Sequence, residues 1–271
     1  LSGNKEVELA ARAAGPIRDF PTKDNKVTGA VEIFELPIKD SEGKVTRGRY
    51  IAGADPYDDD ISNTMSLGSV FVLDTWTDTI VAEFTGRPAF ATDYYEICRK
   101  FCLFYNAVLM YENNKKGLFS YFSMMNSVYM LGDTPEYLRE RQLIKEQGYG
   151  NKAKGIGISG GGHLKGFGYE RIKNWLITPF NTIEKDSDGN EVEITLPNLY
   201  RLKNRALIKE LILWNPNINV DRIMALVQLM LYREEKMIIY NGDMSSSGQQ
   251  NTSGLENDPF FTENYDNRFF Q

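Results

Sequence analysis

Apolar and polar positions along this chain fall into blocks that predict successive elements. Residues 1 to 30 are polar and irregular, broken by Pro16 and Pro21, and read as a linker or extended segment leading into "AVEIFELPI". Three runs dense in β-branched and aromatic residues follow: "RYIAGADP", "GSVFVLDTW" and "DTIVAEFTG". Turn-forming residues separate them, so each predicts a strand, and "TWTDT" predicts a short hairpin loop between the last two. In "ATDYYEICRKFCLFYN" the positions Ile97, Phe101, Phe104 and Val108 recur at helical spacing and predict an amphipathic helix. That helix feeds "AVLMYE", a short continuous apolar run of the kind buried central strands carry. A further helix is expected over "KKGLFSYFSMMNSVYML".

The glycine-rich stretch "GYGNKAKGIGISGGGHLKGFG" comes next and reads as a flexible loop, followed by a helix over "GYERIKNWLITPFN". Asp-Gly-Asn between apolar runs in "TIEKDSDGNEVEITL" signals a hairpin. Two helices, "NRALIKELILWN" and "NVDRIMALVQLMLYREE", close the pattern, and the stretch from Met244 is poor in apolar residues and reads as a disordered tail. The expected fold is α/β: a mixed sheet of three antiparallel meander strands plus parallel strands, with helices on both faces. The expected organisation is a linker or extended segment over 1–44, one globular domain over 45–240 and a flexible tail over 241–271.

Composition narrows the chemistry. At 271 residues, with 42% hydrophobic and 25% charged residues, the chain has the balance of a globular protein, and no run of eighteen apolar residues predicts a membrane span. It starts at Leu1 with neither a signal nor a transit peptide and reads as a piece of a longer protein. Cys98 and Cys102 stack on one helix face, as core thiols in a reducing compartment would. A single histidine, His163, gives poor support to a zinc site or a Ser-His triad, so catalysis would rest on carboxylates. The net charge of −6 argues against a nucleic-acid partner, but the charge is uneven. From Arg99 to Lys173 bases outnumber acids twelve to six, and from Glu234 onward acids outnumber bases seven to two.

Three acids stand out by position. Asp55 ends the first meander strand, Glu112 ends "AVLMYE", and Asp221 falls in the first turn of the last helix, after a plausible N-cap at Asn219. Taken singly, each has an ordinary explanation: a turn residue, a solvated strand end, and a charge favoured by a helix dipole. Taken together at one sheet edge, three carboxylates would repel unless a cation neutralised them, and hard divalent ions such as Mg²⁺ or Mn²⁺ meet that need. Asp58, Asp59 and Asp60 could assist as auxiliary ligands, although a solvated loop explains them more simply. The aromatic residues of "YFSMMNSVYM", with Tyr94 and Tyr95, could stack unpaired bases. At helical spacing, Phe119, Phe122, Met125 and Tyr129 are more simply core.

The order of a strand ending "AGADP", a strand ending "YEN" with Gly117 beyond it, and a helix opening "VDRIMAL" resembles the nuclease domain of the large terminase subunit of tailed bacteriophages, an RNase H-like (RuvC-like) fold. The resemblance covers about residues 45 to 233. It implies that Asp55, Glu112 and Asp221 are the catalytic, metal-binding triad of an endonuclease that cuts concatemeric viral DNA during genome packaging, using two Mg²⁺ or Mn²⁺ ions. Lys115, Lys116, Lys152, Lys154 and Lys165 would contact the backbone of double-stranded DNA, with steep loss of binding as salt rises.

The implied partners are the portal protein, the small terminase subunit and a packaging ATPase domain of the same full-length protein. The implied location is the host cytoplasm at the procapsid portal. Asn219 and Val220 stand where many relatives carry a second acid or a histidine, which weakens the second metal site. No G-x-x-x-x-G-K-[ST] occurs, so the ATPase itself is not expected here. The alternatives are a junction resolvase or transposase-like nuclease, which the triad does not separate from a terminase nuclease, and a non-catalytic module that docks DNA or the portal.

Overall fold

The computed structural model describes residues 29–58, 66–114, 116–144, 155–158, 161–185, 187–214 and 220–247, with the side chains of the last helix placed through Ile239. Expectations for residues 1–28, for the chain beyond 247, and for Asp59, Asp60, Lys115, Lys152, Lys154 and Asn219 lie outside the described residues.

The meander forms where the pattern places it. β2 (Tyr50–Asp55), β3 (Gly68–Asp74) and β4 (Thr79–Gly86) pair antiparallel in sequence, and the β3–β4 turn closes on Asp78 at φ +55°. These strands are buried nearly end to end, which their unbroken apolar character requires. Helix α1 (Ala91–Tyr105) follows and ends on Asn106 in the left-handed region, whose amide N–H donates to the Cys102 carbonyl. The chain then enters β5 (Val108–Tyr111), parallel to β2. A further strand, β1 (Ala30–Ile33), lies inside the stretch read as an extended segment and pairs antiparallel with β4, so the sheet order is β1-β4-β3-β2-β5.

Helices cover both faces of the sheet. On one face α1 and α2 (Gly117–Met124) bury Tyr50, Ala52, Ala54, Val70, Val72, Leu109 and Tyr111. On the other face α4 (Gly162–Ile177) and the long α6 (Asp221–Ser247) bury Ile51, Phe71, Leu73, Val108 and Met110. The short α3 (Glu136–Glu140) joins this second core through Tyr137 and Leu138. α5 (Arg205–Leu213) starts on Asn204, whose side chain accepts the Leu207 amide N–H at 2.8 Å, and it too packs on α6. The hairpin β6 (Pro179–Lys185) and β7 (Glu191–Pro197) forms a separate two-stranded sheet at the Asp-Gly-Asn signal.

Several expectations change. The buried face of α1 is Tyr94, Cys98, Phe101, Cys102 and Tyr105, so Phe104 is exposed and Val108 belongs to β5. The helix expected over "KKGLFSYFSMMNSVYML" stops at Met124, because the chain turns through Asn126 at φ +51° into a short 3₁₀ turn over Val128–Met130. Met125 and Tyr129 are therefore exposed rather than core, while Phe122 is fully buried and Phe119 partly so. α4 begins at Gly162, inside the glycine-rich stretch, and α6 runs on to Ser247, into the segment read as tail.

Candidate functional site

The site is built from the sheet outward. β2 lies inside the sheet between β3 and β5, and in the parallel β2–β5 register Ala54 faces Tyr111. The next position on each strand is Asp55 beside Glu112, and the Glu112 amide N–H donates to the Ala54 carbonyl at 3.3 Å. Side chains alternate along a strand. Because Ala54 and Tyr111 belong to the core under α1, Asp55 and Glu112 are carried to the opposite face, the one covered by α6.

That helix runs against the direction of β2, with Leu229 over Gly53 and Asp221 at the edge where β2 ends. One Asp221 carboxylate oxygen (Oδ2) accepts the Leu67 amide N–H at 2.9 Å, just ahead of β3, and Ser69 on β3 is the cross-strand partner of Asp55. The three expected carboxylates thus share one sheet edge and one face, and all three are half-buried.

The supporting contacts were not visible in the pattern. Asn114 donates its side-chain amide to Glu112 Oε1 at 2.7 Å. Part of the glycine-rich stretch is a structural element rather than a loose loop. Residues 156–158 lie along β5, Ile158 pairs parallel with Glu112, and the Ile158 N–H donates to the Tyr111 carbonyl at 2.9 Å. Gly157 makes this approach feasible: it sits at φ +76°, and a Cβ there would stand 2.8 Å from the Tyr111 ring. From below, the Tyr94 hydroxyl donates to the Ser69 carbonyl at 2.6 Å and reaches the Asp55 carbonyl at 3.3 Å. Burial, then the nearby Cys98 and Asp55 charges, hold the Tyr94 phenol well above its ordinary pKa, so it remains a neutral donor.

Asp58 is tied down as well. It accepts the Tyr95 hydroxyl at 2.8 Å and the Gly117 amide at 3.2 Å, which anchors the loop after β2. Lys116 precedes Gly117 and is exposed beside that anchor, and Lys165 lies in the first turn of α4, shortly after Ile158. Cys98 and Cys102 are buried free thiols, as their spacing predicts.

Under the first turn of α6 lies a buried charge network. Arg222 Nε donates to Glu83 Oε1 at 2.7 Å, and its Nη1 donates to Glu210 Oε1 at 2.8 Å. Burial opposes the Arg222 charge, yet Glu83 and Glu210 raise its pKa. Burial raises that of Glu83 against the pull of Arg222.

The three acids are hard oxygen donors suited to a divalent cation. Among the described residues, however, no group of three His, Cys, Asp or Glu side chains stands close enough together to hold one; Asp221 accepts the Leu67 amide and Glu112 the Asn114 amide. The strand order supplies the fold. The first strand of the antiparallel meander sits inside the sheet and pairs parallel with the strand after α1, and a further parallel segment follows at Ile158. The sheet is therefore the mixed α/β sheet expected from the sequence, with helices on both faces. No family model matches the chain, and no curated protein matches it.

Among solved structures, the large terminase nuclease of the thermophilic phage G20c aligns over 74% of this chain and 87% of its own, at 16% identity and a TM-score of 0.34. A crystal structure of that nuclease with bound magnesium aligns over 76% and 87%, at 15% identity and a TM-score of 0.33. No helix among the described residues is long and apolar enough to cross a membrane.

Proposed function

We propose that this chain is a metal-dependent endodeoxyribonuclease of the large-terminase type, which cuts concatemeric viral DNA during packaging. One observation carries the reading: Asp55 and Glu112 extend a parallel register onto the face that α6 covers, and the first residue of that helix is Asp221. Asp55, Glu112 and Asp221 would hold Mg²⁺ or Mn²⁺ once their carboxylates are drawn together, and the metal would supply an activated water and stabilise the leaving oxygen of a phosphodiester.

The chain's own residues do the rest. Asp55 sits on an interior strand locked on both sides, a rigid origin for the site. Asn114 orients Glu112, and the Leu67 amide keeps the Asp221 carboxylate at the edge until a cation competes for it. Lys116 and Lys165, with Lys115, Lys152 and Lys154, would contact the DNA backbone. In the same reading the chain works beside a packaging ATPase domain, the portal protein and the small terminase subunit, in the host cytoplasm.

The experiment is conversion of supercoiled plasmid with Mg²⁺, Mn²⁺ or EDTA, by the parent chain and by Asp55→Ala and Glu112→Ala. A parallel arm offers four-way junctions against linear duplex. Metal-dependent cutting that both substitutions abolish in folded protein is expected. No cutting with any metal overturns the reading in favour of a non-catalytic docking module, cutting that survives both substitutions removes Asp55 and Glu112 from the site, and preference for junctions would reassign the chain to the resolvases.

A further inference from the structure

The inner face of α6 is apolar along Ile223, Leu226, Val227, Leu229 and Met230, yet its second residue is a buried arginine. Arg222 is 3% exposed, and it meets Glu83 from β4 and Glu210 from α5. Its backbone N–H also donates to Glu210 Oε2 at 3.2 Å, so Glu210 grips both the main chain and the side chain of the first turn.

Glu83 is fixed in turn. Its Oε1 accepts the Thr85 hydroxyl at 2.9 Å, and Thr85 shares a 2.8 Å hydrogen bond with Ser69 Oγ. Ser69 is the strand partner of Asp55. One hydrogen-bonded line therefore runs from beside Asp55, across β3 and β4, to the residue that follows Asp221.

A buried ion pair of this kind is weak evidence for stability, because apolar side chains of similar volume often serve the core as well or better. What it supplies is direction. Apolar packing turns the right face of the helix to the core but is non-directional, whereas three charge-assisted hydrogen bonds to two fixed carboxylates pin the rotation of this turn. The first turn is also where rotation matters, since Asp221 and Arg222 are consecutive.

We infer that Arg222 is a positioning residue: through Glu83 and Glu210 it sets the rotation and seat of the α6 N-terminus, and so holds the Asp221 carboxylate at the sheet edge facing Asp55. The inference rests on Asp221 being a site carboxylate.

The test uses the full chain with Arg222→Lys, Glu210→Gln and the apolar pair Glu83→Leu with Arg222→Met, which leaves no charge of that pair unpaired in the core. Two readouts are followed. One is hydrogen exchange at the Leu67 amide, which donates to Asp221. The other is the Mg²⁺ concentration for half-maximal plasmid cutting, set against the maximal rate. The expected result is cooperative unfolding retained in the apolar pair, Leu67 exchange accelerated toward that of Asp221→Asn, and metal affinity or rate lowered by about 10–100-fold. Arg222→Lys should fall between the parent and the apolar pair.

A folded apolar pair with parental Leu67 protection and metal requirement overturns the inference. If that variant does not fold, Glu210→Gln, which leaves Arg222 on Glu83, decides by the same readouts. If the parent chain cuts no DNA, the nuclease reading fails separately, and the Leu67 exchange still decides whether Arg222 positions Asp221.

Discussion

Replacing Gly53 by alanine adds one methyl group where α6 lies nearest the sheet. An ideal Cβ at Gly53 would stand 2.4 Å from the Leu229 amide nitrogen, 2.5 Å from its Cβ and 2.6 Å from its Cα. None of these atoms can swing aside, since two are backbone and the third is rigidly attached to it. The helix must lift by about 1 Å to restore an ordinary contact, an overpacking that costs about 1–3 kcal/mol. For a domain of this size that is roughly 2–12 °C in Tm.

The effect on cutting should be larger, because Asp221 rides on the same helix while Asp55 stays with the strand. A misplacement of about 1 Å can cost about 100-fold in rate. Circular dichroism melts and plasmid conversion at a temperature where both proteins remain folded read the two effects. A folded variant with lowered Tm and cutting reduced by about 100-fold is expected. A variant that melts and cuts like the parent would refute the claim that helix and strand touch backbone to backbone at this point.

Two further outcomes follow from the core. Arg49 donates twice to Asp74 Oδ2, at 3.0 and 2.7 Å, with both side chains almost fully buried and the guanidinium stacked on Trp76, so Asp74→Ala leaves a buried charge unpaired. It should cost about 3–5 kcal/mol in a denaturant melt, and a loss under about 1 kcal/mol would contradict the burial. Burial pushes the Cys98 thiol up to about 12 in the folded chain, from an ordinary value near 9. The stability this provides is complete below about pH 9 and is lost as pH rises toward 12, so Cys98→Ala should make alkaline unfolding less steep, and native protein at pH 8 should react with thiol reagents only as it unfolds. Prompt labelling at pH 8 would count against it.

The meander, α1 and β5 were legible because strands buried on both faces leave continuous apolar runs, and Asp55 and Glu112 were legible because they end two of those runs. Asp221 was legible only as a helix start; its approach to Leu67 depends on how α6 crosses the sheet, which periodicity does not encode. The partners of Arg222 lie on α5 and on distant β4, and nothing local announces that a charge there will be buried. Nothing in the pattern singles out Gly53, whose place is set by the backbone of Leu229. "GIGI" reads as loop because glycine content signals freedom, yet that same freedom lets Gly157 lie against Tyr111 and cover the β5 edge. Met125 and Tyr129 were misread as core because a turn at Asn126 ends the helical period before it reaches them.

The length of α6 has a mechanical consequence. Its 27 residues make about 40 Å of continuous helix. It bears on the sheet at Leu229, with Asp221 about 12 Å to one side of that fulcrum and Ser247 about 27 Å to the other. A rigid tilt that carries the far end about 2 Å sideways would push the Asp221 end roughly 1 Å the other way, against the hold of Glu83 and Glu210 on Arg222. The end of α6 at Ser247 is therefore the long arm of a lever whose short arm ends at Asp221.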